Sequence, residues 1–134
     1  MSKVVTFDKY AKLPEAYRKR AHEIAERVKG IDATLAPSET SDVKDAVLRM
    51  AGQFRDQPEI DHAEMAIEFQ AACRDLPSWA ISEAASDFLA GRVDNHTGQF
   101  MPTCAEFARH ARHILVPILS ERSALKTEAS KLIE

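Results

Sequence analysis

Apolar residues recur along this chain at three- and four-residue steps, the spacing that lays one face of an α-helix against a core. Leu13, Tyr17, Ala21, Ile24, Val28 and Ile31 follow that step and predict a first helix from Pro14 to Lys29, stopped by Gly30. Its outer face is Arg18, Lys19, Arg20, Glu23, Glu26 and Arg27. Residues 31–40, with Pro37-Ser38-Glu39-Thr40, read as a connection that supplies an N-cap. The cleanest stripe follows: Val43, Ala46, Val47, Met50, Ala51 and Phe54 predict a second helix ending near Arg55, before Pro58. Asp61-His62-Ala63-Glu64 has the spacing of a capping box and opens a third helix with Met65, Ala66, Phe69, Ala72, Cys73 and Leu76 on one face. Pro77 begins a fourth, with Ile81, Ala84, Ala85, Phe88 and Leu89 inward and Gly91 at its end.

Residues 92–102 form the longest polar connection, with Asp94, Asn95 and Gly98 as turn formers. Thr103-Cys104-Ala105-Glu106 then repeats the capping-box spacing, and a fifth helix carries Phe107, Ala108, Ala111, Ile114, Leu115 and Ile118. Nothing reads as a strand ladder. The fold class is therefore all-α, a single-domain bundle of about five helices with short loops that favour antiparallel neighbours. Residues 1–12 lack a period and read as a flexible arm, with Phe7 and Tyr10 as anchors. Residues 13–117 form the body, and residues 118–134 a C-terminal helical extension. Along the end of the chain Ala111, Leu115, Ile118, Arg122, Leu125, Ala129 and Leu132 alternate four- and three-residue steps, a coiled-coil type seam interrupted by Arg122. Pro117 lies inside that run and is expected to kink the helix or split it around residues 113–117. Beyond it the extension either projects, its seam seeking a partner, or folds back over the first helix.

At 134 residues the chain has room for one core, and its 45% apolar and 29% charged residues are ordinary for a folded protein. A net charge of −3 differs from the basic excess of a dedicated nucleic-acid binder. No apolar run approaches a membrane span, no signal peptide precedes Met1-Ser2-Lys3, and Cys73 and Cys104 fall in amphipathic stretches; the expectation is a cytoplasmic protein with reduced thiols. In that setting Asn95-His96-Thr97 is a chance match to the glycosylation pattern.

Candidate chemistry is sparse. Glu106, His110 and His113 share one side of the fifth helix, but one helix cannot supply a converging ligand set, and the expected reading is a solvated polar face with no metal. Cys104 stands at a helix start, yet with Cys73 and Phe107 it reads as a buried, inert packing residue. Glu64 with Glu68 and Glu83 with Asp87 read as solvent-facing charges. All four glycines are isolated, so no phosphate-cradling loop exists. No catalytic residue and no cofactor are expected. Two basic clusters, Arg18-Lys19-Arg20 and Arg109 with Arg112 and His113, are candidates for contact with a nucleic-acid backbone if they share one side of the bundle.

One longer pattern stands out: Leu76-Pro77-Ser78-Trp79-Ala80 opening an alanine-rich helix with Ala84, then a loop, then Phe100-Met101-Pro102-Thr103-Cys104-Ala105-Glu106. Over roughly residues 50–112 it resembles the small helical proteins with which phages load or inhibit the host replicative helicase. The resemblance implies a helical body joined to a C-terminal segment that engages the hexameric helicase, without catalysis or metal. It also implies Trp79 and Phe100 as wedges between helices and Thr103 with Glu106 as a cap. This chain departs from the pattern in its extra N-terminal residues and helical tail. The resulting expectation is a non-enzymatic phage or prophage adaptor that binds the replicative helicase through Leu125, Ala129 and Leu132, flanked by Lys126 and Lys131. The alternatives are a small DNA-binding or DNA-mimicking regulatory protein acting on transcription or host defence, and a homodimeric structural protein joined along the seam.

Overall fold

The computed structural model describes residues 12–55 and 61–133, and all its regular structure is helical: α1 Glu15–Thr34, α2 Thr40–Ala51, α3 His62–Cys73, α4 Ser78–Leu89, α5 Cys104–Ile114 and α6 Val116–Leu132. The expected arm at residues 1–12, with Phe7 and Tyr10, falls almost wholly outside the described residues. There are six helices among those described rather than about five, because the run expected to be kinked at Pro117 is divided there. α5 ends at Ile114, Leu115 closes its last turn, and Pro117 lies in the first turn of α6, where no backbone donor is needed.

The helices fall into two units, residues 35–116 and the two chain ends, Met1–Thr34 with Pro117–Glu134. In the first unit α2 packs on α3 and α4, and α5 packs on the same two, so the four close a ring in the order α2, α4, α5, α3. The expectation that successive helices are neighbours therefore fails for α3 and α4. Only Arg74–Pro77 join them, and Leu76 is tied down at both ends, its N–H donating to Cys73 and its carbonyl accepting from Ser38 at 2.8 Å.

Three phenylalanines from three helices fill the ring. Phe107 of α5 stands 5.6 Å from Phe69 of α3 and 5.9 Å from Phe88 of α4, and each is at most 2% exposed. Each such side chain contributes about 1.5–3 kcal/mol by leaving water. Val43, Ala46, Val47 and Met50 close the core from α2, and the buried Ala80, Ala84 and Ala85 let α4 approach its neighbours closely.

The helix starts at Asp61 and Thr103 are capped, but the reciprocal capping box expected at both forms only at Thr103, Asp61 capping α3 one way. Asp61 accepts from the N–H groups of Ala63 and Glu64, and Thr103 and Glu106 cap each other's backbone at 3.1 and 2.9 Å. At the end of α4, Gly91 takes a positive φ of 71°, its N–H donates to the Phe88 carbonyl, and the Arg92 N–H reaches the Asp87 carbonyl at 2.9 Å. This Schellman turn folds Arg92 back over the last turn of α4.

The second unit pairs α1 with α6 in antiparallel register. Arg20 meets Glu128 and Arg27 meets Glu121 through two-pronged guanidinium–carboxylate contacts one heptad apart, and Arg122 reaches Asp32 at 2.6 Å. α6 is thus laid along α1 rather than projecting free. Leu125, Ala129 and Leu132 are half-buried, and α6 has no fully buried residue. Gly30 does not stop α1 as expected. The helix continues to Thr34 because Ile31, fully buried, extends the stripe of Ala21 and Ile24, while Gly30 lies on the solvent side.

Candidate functional site

Two features on separate units carry most of the exposed chemistry. The first is an open cleft of about 410 Å³ beside the end of α4, lined by Phe88, Arg92, Asn95, His96, Arg109 and His113 among others. Its organising contact joins α4 to α5: His110 Nε2 and Asp87 Oδ2 lie 2.8 Å apart, with side chains 17% and 19% exposed. On its other oxygen Asp87 accepts from Arg92 Nε at 3.1 Å, a reach that the Schellman turn makes available. Burial opposes ionisation of Asp87, but the hydrogen bonds from His110 and Arg92 outweigh it and hold the carboxyl below its ordinary value. The His110 and His96 rings both stand edge-on to Phe88, at centroid distances of 5.4 and 5.0 Å. His96 is fixed further by a 2.9 Å contact between Nε2 and the Phe100 carbonyl, and Asn95 makes the bend with a φ of 67°.

Glu106, His110 and His113 do line this cleft together, as their helical spacing requires. They are not simply a solvated face, however. His110 is committed to Asp87, and Glu106 Oε1 accepts the Thr103 N–H. Asp87 likewise is not a solvent-facing partner of Glu83 but part of a helix-to-helix pair. Among the described residues no three His, Cys, Asp or Glu side chains are placed to hold a metal ion. Cys73 is buried and its thiol is pushed up to about 11 by that burial, while Cys104 is half-buried.

The basic residues nominated from sequence divide by what they touch. Arg20 is spent on Glu128, and Arg112 donates to the Ala72 carbonyl at 3.0 Å and to Asp75 at 3.3 Å. Arg18, Lys19, Arg109 and His113 are exposed, the last two on the cleft. Sequence reasoning missed Asp87, Arg92 and His96. The Gly91 stop after α4 was the available signal for Arg92, since a left-handed residue there returns the chain over the preceding turn. The pairing of Asp87 with His110 depends on which helix faces meet and leaves no local signature.

The second feature is an apolar groove of about 760 Å³ on the α1–α6 pair, with Ala21, Ile24, Ala25, Val28 and Ala129 on its walls and Lys29 and Lys126 on its rim. Hydrogen bonds from Arg20, Arg27 and Arg122 hold the carboxyls of Glu128, Glu121 and Asp32 below their ordinary values. Trp79 is 37% exposed, so it is not a wedge buried between helices; it lies one residue off the α4 stripe that begins at Ala80. Phe100 is half-buried with the Arg55 guanidinium 5.9 Å from its ring centre. No helix of the described residues is long and apolar enough to cross a membrane. No protein-family model, curated protein or solved structure matches this chain.

Proposed function

We propose that the chain is an adaptor of phage or prophage type that binds the host replicative helicase and modulates DNA replication, with the α1–α6 pair as its contact surface. The observation that carries the reading is the state of α6. Its apolar stripe is only half covered, none of its residues is fully buried, and an apolar groove stays open beside α1. Two antiparallel helices with an open seam suit recognition of a third amphipathic helix, which inserts anchors at three- and four-residue steps. Ala129 lines the open groove with Lys126 beside it, and the half-buried Leu125 and Leu132 continue the apolar stripe of α6 with the exposed Lys131 next to them. The resemblance of the Leu76–Phe107 stretch to helicase loaders supplies the identity of the partner. The helix starts at Pro77 and Thr103 that carry this resemblance belong to the scaffold, so the contact is sought on the chain ends.

A pull-down on immobilised hexameric replicative helicase tests this. Full-length protein is retained, a chain ending at Ser120 is not, and Lys126→Glu with Lys131→Glu weakens retention without changing thermal unfolding. Equal retention of all three, or none by the full-length chain, overturns the proposal.

A further inference from the structure

We propose that the cleft beside the end of α4 is a binding site for a phosphoryl group, held by Arg109, Arg92 and His113. The argument rests on which groups in the cleft are already committed. Asp87 is occupied on both oxygens, by His110 and Arg92, and Glu106 uses Oε1 to cap α5. Asp94 and the second oxygen of Glu106 are the remaining acidic acceptors on the lining. Against it stand donors with capacity to spare. Arg92 is engaged through Nε and offers its two terminal nitrogens, and the side chains of Arg109 and His113 form no hydrogen bond or ion pair within the described residues, the His113 ring standing 6.5 Å from that of His110. Arg109 and His113 are one helical turn apart, so they share the α5 face that lines the cleft.

Two guanidinium groups beside an imidazole offer more donors than a carboxylate can accept, whereas a phosphoryl group presents several oxygens and suits the two-pronged guanidinium fork. The cleft volume of about 410 Å³ exceeds a bare ion and lies in the range of small-ligand sites. The half-buried Val93 adds apolar lining beside these donors, where an attached organic group would rest. The phosphoryl group can belong to a free phosphorylated compound or to a single-stranded DNA backbone. The chemistry at Arg109 is shared, and the assay separates the two sources.

The full chain is titrated at constant ionic strength with inorganic phosphate, a nucleoside monophosphate and a short single-stranded DNA, while NMR follows the ring signals of His110 and His113. The proposal expects both rings to shift on saturation. Arg109→Gln weakens binding by about tenfold or more, as loss of a two-pronged contact should, whereas Arg112→Gln changes it less than about twofold. Tighter binding of DNA than of the monophosphate assigns the site to a nucleic-acid backbone; equal or weaker binding of DNA assigns it to a free phosphorylated compound. Unmoved histidine signals with all three ligands overturn the proposal, as does equal weakening by Arg109→Gln and Arg112→Gln, which marks diffuse attraction. Retention on the helicase is read separately and should be unchanged in Arg109→Gln, so either proposal can fail alone.

Discussion

Replacing Asp87 by Asn tests the contact that organises the cleft, and its cost can be worked from the two bonds it breaks. Asp87 Oδ2 pairs with His110 at 2.8 Å and Oδ1 with Arg92 at 3.1 Å, and the side-chain amide of Asn can accept from one of them but presents a donor to the other. The Arg92 side chain is 63% exposed and regains water, so that loss is small. The His110 side chain is only 17% exposed, and exchanging its charged acceptor for a neutral amide, or losing it, costs about 1–3 kcal/mol, the range for a buried polar group left short of its partner. For a unit of this size each kcal/mol lowers the unfolding midpoint by about 4–8 °C. Thermal unfolding at pH 7, followed by helix circular dichroism, should give a midpoint for Asp87→Asn lower by that amount, and urea unfolding a lower midpoint at unchanged slope. The pH dependence has a definite sign. The folded-state value of Asp87 lies below its ordinary 3.8, so its stabilisation is fully present above that value and is lost as pH falls from there through the folded-state value. Equal midpoints at pH 7, or a gap that persists unchanged once the carboxyl is protonated, would refute this account of the pair.

Other expectations test the scaffold. Gly30→Ala should stabilise the protein by about 0.5–1 kcal/mol, because the position is helical and a methyl group there meets nothing within 4 Å; a lower unfolding midpoint would contradict the placement of Gly30 on the open side of α1. With a thiol reagent at neutral pH, Cys104 should react before Cys73, whose thiol is buried and pushed up to about 11; equal labelling rates in the folded protein would contradict that burial. The ion pairs between α1 and α6 involve partly exposed side chains, so amide exchange along residues 121–130 should quicken as salt rises from about 0.01 to about 1 M, over which the screening length falls from about 30 to about 3 Å. Exchange that ignores salt would show that apolar contact alone holds α6.

The elements that were legible in the sequence are those whose cause is local. Asp61, Thr103 with Glu106, and Gly91 mark helix ends because the capping groups lie within a few residues of the backbone they satisfy. Pro117 marks the division of α5 from α6 for the same reason. Gly30 misled because a glycine stops a helix only when the chain has no reason to continue. Burial of Ile31 outweighs a propensity loss of about 1 kcal/mol. The candidate site was half legible: spacing alone aligned Glu106, His110 and His113, and Arg109 stood out by charge. That His110 would be taken by Asp87 could not be read, since residues 87 and 110 meet only after α4 and α5 pack through Phe88 and Phe107. The same holds for the heptad-spaced pairs of Arg20 and Arg27 with Glu128 and Glu121, whose partners lie at opposite ends of the chain.

These pairings change how the charge of the chain bears on function. A net charge of −3 argues against broad attraction to nucleic acid, yet the sum hides how the cations are used. Arg20, Arg27 and Arg122 neutralise carboxylates within the α1–α6 unit, and Arg112 is turned to Ala72 and Asp75. A basic face that used Arg20 and Arg112 would have to break their contacts, a loss that a loosely held phosphate backbone returns poorly. In the cleft the balance runs the other way. Asp87 is taken on both oxygens and Glu106 on one, so the side chains of Arg109 and His113 keep their donors for a ligand, with Asp94 and the second Glu106 oxygen as the acidic groups beside them. A single seated phosphoryl group, as proposed for the cleft, therefore fits this charge arrangement better than a tracked duplex.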